Sequence, residues 1–261
     1  MSRIQTIGLS LLATLVATAP LTAQNECANR RDISETLELT PTGRVNIAAG
    51  AGSLRITGRP GSAEVRVTGT ACASSGSRLE EMRIDATSSG SEAFVETIIP
   101  DSESWFGWSD YARIDLVVEV PETATLDVRD GSGSAEITDV RGGLRIDDGS
   151  GSLDVANVAG GLQINDGSGS LTVREVDGDI RLVDGSGSVT LEFVRGSVVV
   201  EDDGSGSLSI HDVSGDVVVR EDGSGSIRVD LVGGDFVVDR DRSGGIRFAD
   251  VDGSVQIPRR K

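Results

Sequence analysis

The motif Asp-Gly-Ser-Gly-Ser constrains this chain more than any other feature. It begins at Asp130, Asp148, Asp166, Asp184, Asp203 and Asp222, and a worn copy starts at Asp241. The intervals are 18, 18, 18, 19, 19 and 19 residues. A fixed period of this length is the mark of a stacked repeat, in which each unit buries its apolar face only against its neighbours.

Each repeat holds two similar halves. Apolar residues come in i, i+2 pairs, as in Leu144/Ile146, Leu153/Val155, Leu162/Ile164 and Leu171/Val173, and successive pairs lie nine or ten residues apart. Residues i and i+2 of a strand share a face, so each pair points inward. The first half adds an inward valine at its corner (Val140, Val158, Val176, Val194, Val213, Val232, Val251), with a glycine two residues later that suits a bend of unusual φ. The second half ends in Asp-Gly-Ser-Gly, read as a tight polar turn. The expected fold is all-β: a single-chain parallel β-solenoid with coils of 18–19 residues. At ~4.8 Å per coil, seven coils make a rod on the order of 34 Å.

The remainder is organised around that rod. Residues 1–23 read as a secretory signal: Arg3 is the only charge, an apolar run spans Ile7 to Val16, and small residues precede Gln24. That run is shorter than the roughly 20 residues a membrane span needs. Export follows as an expectation, to periplasm, cell surface or medium. Residues 24–261 are expected to form one domain: an irregular N-terminal part to residue 122 acting as a cap, regular repeats over 123–257, and a basic tail from 258. Short apolar pairs between glycines from Leu37 to Val67 look like early coils. Longer strands, expected to be antiparallel, follow between Arg78 and Val120. They are interrupted by an insert from Pro100 to Tyr111 that carries Trp105, Trp108 and Tyr111. At the far end, Pro258 and the basic residues are expected to stop strand pairing.

The strand ending Val-Glu-Val-Pro (Val118–Pro121), the following Ala-Thr-Leu-Asp-Val (Ala124–Val128), and the repeated Gly-Ser-Leu-x-Val and Gly-Gly-Leu-x-Ile units resemble the bacterial putative-adhesin β-solenoid family, a domain of unknown function. The resemblance covers most of the chain after the leader. It implies a β-helical fold and an exported or envelope location, and it brings no catalytic residues.

Charge and cysteine content narrow the function. The formal net charge is −18, which argues against nucleic acid as a partner, since phosphate binding needs a basic patch. Cys27 and Cys72, an even pair in an exported chain, are expected to form a disulfide. Two cysteines and one histidine do not make a metal site. His211, beside Asp212, reads as a surface residue, and no serine has a visible base partner.

Three sets of residues remain as candidates. Stacked corners put Asp130, Asp148, Asp166, Asp184, Asp203 and Asp222 in one column. They are either Asx-turn residues or a calcium ladder, the one cofactor considered. Val199, Val218 and Val237 form an outward stripe, either a consequence of β-propensity or a docking surface. Trp105, Trp108 and Tyr111 form either a lid or a recognition loop. The functional expectation is a non-enzymatic adhesion-type or structural binding module of the envelope, with an envelope protein or glycan as partner. A self-assembling envelope scaffold and a polysaccharide-active β-helix enzyme are the alternatives.

Overall fold

The structure is a computed structural model and describes residues 27–100 and 110–258. The signal segment, Trp105, Trp108 and residues 259–261 lie outside the described residues. The described chain is a β-solenoid of about 7 turns with coils about 19 residues apart.

The irregular part comprises β1 (Asn29–Glu38), β2 (Arg44–Ala51), β3 (Leu54–Arg59), β4 (Glu64–Ala73), a short helix α1 (Gly76–Glu81), β5 (Arg83–Ser89), β6 (Glu92–Ile98) and β7 (Ala112–Pro121). The regular part follows as β8 (Thr125–Val140), β9 (Leu144–Asp148), β10 (Gly151–Val158), β11 (Leu162–Asp166), β12 (Gly169–Val176), β13 (Ile180–Asp184) and β14 (Gly187–Val194). It ends with β15 (Val198–Val213), β16 (Val217–Val232), β17 (Phe236–Asp241), β18 (Gly244–Val251) and β19 (Val255–Gln256).

Two parallel ladders run along the rod. First halves stack through β8, β10, β12, β14, β15, β16 and β18, with Leu153 beside Ala135 and Leu171. Second halves stack through β8, β9, β11, β13, β15, β16, β17 and β19. The change from 18- to 19-residue coils is absorbed in one place. There Leu182 pairs with Val200 but Val183 pairs with Asp202, so Glu201 is the extra residue, a β-bulge. The inward pairs are buried from Ala135/Ile137 through Val217/Val219, as the alternation requires.

The N-terminal region departs from expectation. Only β4–β7, β5–β6 and β1–β4 pair antiparallel. β6 and β7 instead run parallel to β2 and β3 and stack on them as a neighbouring coil. Stacking order is therefore not chain order. The β2–β3 coil lies between the β6–β7 coil on one side and β8 on the other. Antiparallel β1, β4 and β5 then close this end. The helix α1, which the sequence reading missed, is capped by the Ser75 side chain. A disulfide joins Cys27 to Cys72 with Cα atoms 5.5 Å apart, tying the start of β1 to β4.

At the other end strand pairing stops at Gln256, just before Pro258. The last coil is left uncovered among the described residues, with Phe248 45% and Ile257 41% exposed.

Candidate functional site

The first-half corner is built differently from the expectation. The left-handed φ does not fall on the glycine after the valine. It falls on the residue before the valine, from Asp139 (φ 64) through Asn157, Glu175, Phe193, Asp212 and Leu231 to Asp250. The glycine is required for another reason. A Cβ at Gly142 would lie 2.0 Å from the Ala124 carbonyl oxygen of the adjacent coil, so coil spacing excludes a side chain there. Beside this corner runs a groove of about 970 Å³, lined by Arg59, Glu122, Arg141, Asp177, Phe193 and Arg195 among others. Two ion pairs lie within it, Arg141 with Glu122 at 2.9 Å and Arg195 with Asp177 at 3.7 Å, beside the further acids Asp139, Glu175 and Asp212. It therefore offers a mixed polar trough with one exposed aromatic ring, Phe193.

The aspartates are buried rather than exposed at the corner, and Asp166 keeps a contact of the Asx-turn kind with the Ser168 N–H. Each occupies the third inward position of its second-half strand, as in Leu144, Ile146 and Asp148 of β9, which follow the burial pattern in, out, in, out, in. The six are 1–5% exposed, and they stack in register along β8, β9, β11, β13, β15 and β16. Asp241 continues the column in the last coil. Both carboxyl oxygens of Asp130, Asp184, Asp203 and Asp222, and one oxygen of Asp148 and of Asp166, are buried with no aligned donor. Backbone N–H groups of Gly131 and Ser168 lie near Asp130 and Asp166 and only partly offset burial. Burial is the main force raising these acids: Asp148 and Asp184 are pushed up to about 7, Asp130 and Asp222 to about 6, and Asp166 and Asp203 are also raised. For Asp148, Asp184 and Asp222, repulsion from the coils above and below adds to it. Among the described residues no group of three or more His, Cys, Asp or Glu side chains is arranged to hold a metal ion.

The structure brings the valines together. Val199, Val218 and Val237 pair in register on the outer face of the second-half ladder, each half-buried. Arg181 and Gln256 flank them in the same column. A shallow depression of about 560 Å³ lies along this face, touching Arg145, Gln163, Arg181 and Val199.

Of the aromatic insert only the stems are described. The Tyr111 hydroxyl accepts from the Ala28 N–H at 3.0 Å, and its carbonyl accepts from the Ser74 N–H. Arg78 donates to Asp110 at 2.6 Å and to the Pro100 carbonyl at 3.0 Å, joining both ends of the insert. Tyr111 is thus part of the anchoring at the disulfide end. His211 sits on the first-half face, its Nδ1 2.9 Å from Asp230 and its ring edge-on to Phe193. No nucleophile accompanies it in those contacts.

No protein family matches the chain, and neither does any curated protein. Solved structures do resemble it. One is a putative adhesin from Parabacteroides merdae, 12% identical, with 87% of this chain and 97% of that chain covered and a TM-score of 0.48. Another is a putative lipid binding protein from Parabacteroides distasonis, 14% identical, with 87% and 97% covered and a TM-score of 0.45. A third is a putative cell adhesion protein from Clostridium sporogenes, 13% identical, with 87% and 98% covered and a TM-score of 0.31.

Proposed function

We propose that this chain is an exported, non-catalytic binding module of the cell envelope, adhesion-type or structural, whose working surface is its flat ladder faces. One observation carries this reading. In the regular coils every corner is a few residues long, and outward side chains recur in register from coil to coil. A polysaccharide-cleaving β-helix needs long loops to wall a cleft around clustered acids, whereas the corners of the regular coils are short, and the acids of the open groove lie among Arg59, Arg141 and Arg195. What the exterior offers is a repeating strip, suited to an extended envelope glycan or protein segment. The Cys27–Cys72 bridge supports an oxidising compartment.

The valine stripe with Arg145 and Arg181 beside it is the favoured contact, because apolar area ringed by hydrogen-bond donors suits the faces and acids of sugars. Binding of residues 24–261 to an array of envelope glycans should be lost in Val199→Lys/Val218→Lys while its circular-dichroism melting curve is unchanged. Binding that survives this pair but fails in Trp105→Ala/Trp108→Ala would move the site to the insert. Release of new reducing ends from an acidic glycan would replace the binding reading with the enzymatic one. The scaffold reading keeps one observation in its favour, the uncovered last coil with Phe248 and Ile257 exposed. It requires concentration-dependent light scattering.

A further inference from the structure

The buried aspartate column is unusual because of what aspartate cannot do. An ionised carboxylate only accepts hydrogen bonds, so two stacked carboxylates have nothing to offer each other. Asparagine, nearly the same shape, carries both donor and acceptor and would satisfy such a column by itself. Yet all six fully stacked positions are aspartate, buried to at least 95%, with ten oxygens lacking an aligned donor. Buried charges left unpaired are among the most expensive groups a fold can carry.

We propose that the column is a proton-loaded core element, in which a carboxyl at alternate coils keeps its proton and donates it to a neighbouring carboxylate, making the solenoid's stability depend on pH. The stacking supplies the geometry: neighbours at successive coils are ~4.8 Å apart along the ladder, within reach of a carboxyl–carboxylate hydrogen bond. The environment supplies no competing cation. Across the core, β10, β12 and β14 present only apolar residues inward, and the sole other buried polar side chain among the described residues is Thr97. Ala49 stacks on Asp130, and the Thr97 hydroxyl accepts from the adjoining Gly50 N–H, so the column ends on the N-terminal side in neutral residues. The charged groups next to the column on its own strands point outward: Arg129, Asp147, Asp202, Glu221 and Arg240. Of these, Asp202 pushes Asp203 further up.

The alternation follows from proton sharing: one proton serves two neighbouring carboxyls, so a donor at one coil needs an acceptor at the next. Asp148, Asp184 and Asp222 form one alternate set, each stacked between two carboxyls that can accept. Because the folded acids hold protons more tightly than the unfolded chain, the contribution is complete below the ordinary aspartate range. It is lost as pH rises through about 6 to 7, the values reached by Asp130, Asp148, Asp184 and Asp222.

The test compares melting temperatures at pH 5.0 and pH 8.0 for the wild type and two triple variants. Wild type should melt lower at pH 8.0, by about 5 °C or more for a domain of this size. Asp148→Asn/Asp184→Asn/Asp222→Asn supplies permanent donors at the alternate coils and should remove most of that difference. Asp127→Asn/Asp147→Asn/Asp154→Asn removes as many charges from the outer face and should leave it. Equal flattening by the outward triple would overturn the proposal, since general charge repulsion would then account for the pH dependence. So would a calcium-induced rise in wild-type melting temperature at pH 8.0 that the inward triple lacks, which would make the column a cation site. If the inward triple does not fold, carboxyl carbon shifts of labelled wild-type aspartates still decide. A group of buried aspartates should titrate near 6 to 7, and titration of all of them near the ordinary value would refute the column.

Discussion

Substituting Gly169 by alanine tests the packing logic of the whole rod. Gly169 has φ +139, and its equivalents from Gly133 to Gly244 lie between +130 and +150. A Cβ there would sit 1.7 Å from the Gly151 oxygen of the preceding coil and 2.7 Å from its carbonyl carbon. Neither partner can yield independently, because ladders hold β12 to β10 on one side and β14 on the other. An L-residue held in that backbone region costs of order 1–3 kcal/mol. Relieving the contact also strains two corner hydrogen bonds, Gly169 N–H to Ser186 O at 2.9 Å and Gly151 N–H to Ser168 O at 3.0 Å. At about 1 kcal/mol each, the total loss is about 3–5 kcal/mol. Gly161 is the internal control: it lies in the same coil, has no positive φ, and a Cβ there meets nothing within 4 Å. Gly161→Ala should be neutral or gain about 0.4–1 kcal/mol through the unfolded chain. Urea unfolding measures both, and amide exchange in β10, β12 and β14 reports whether the loss is confined to adjoining coils, as nearest-neighbour stability implies. A Gly169→Ala variant within about 1 kcal/mol of Gly161→Ala would refute the crowding argument.

Two further outcomes follow from the same geometry. The disulfide closes 45 residues of sequence separation, so Cys27→Ser/Cys72→Ser, or reduction, should lower stability by about 4 kcal/mol in the chain-entropy account, measured by urea unfolding with and without dithiothreitol. Leu231 holds a left-handed φ of 58 while 44% exposed, so Leu231→Asn should stabilise by about 0.5–1 kcal/mol, read as a raised melting temperature.

What could be read in the sequence was whatever alternates with period two and recurs every 18–19 residues. That covers the inward pairs, both ladders, and the outward register of Val199, Val218 and Val237. The aspartate column is legible in the sequence, but its burial is masked by polarity and shows only in position. Leu144, Ile146 and Asp148 are evenly spaced by two, and that alternation alone puts Asp148 inside. Glycine's tolerance of positive φ points the bend to the corner glycine. Yet the residue bearing it changes from aspartate to phenylalanine to leucine between coils, so no residue type marks it. The N-terminal stacking order was hidden because contacts between distant segments leave no periodic trace. One clue was present: Ala49-Gly-Ala-Gly-Ser53 mimics the repeated corner, and Ala49 stacks on Asp130 and Ala51 on Ser132.

That stacking order has a consequence for assembly. In the regular part each coil pairs with the segment 18 or 19 residues away, so coils add one after another at small cost in loop closure. The β2–β3 coil instead meets β8 about 80 residues further on and β6–β7 about 50 to 60 residues on, with the antiparallel strands and the insert between. This junction is the non-local step, and non-local pairing is slow. The disulfide lies at the same end, joining β1's start to β4, the strand that pairs antiparallel with β7. The regular coils carry the buried acids. The rod is held closed at its N-terminal end by covalent and antiparallel reinforcement and, along its length, by repetition and protons.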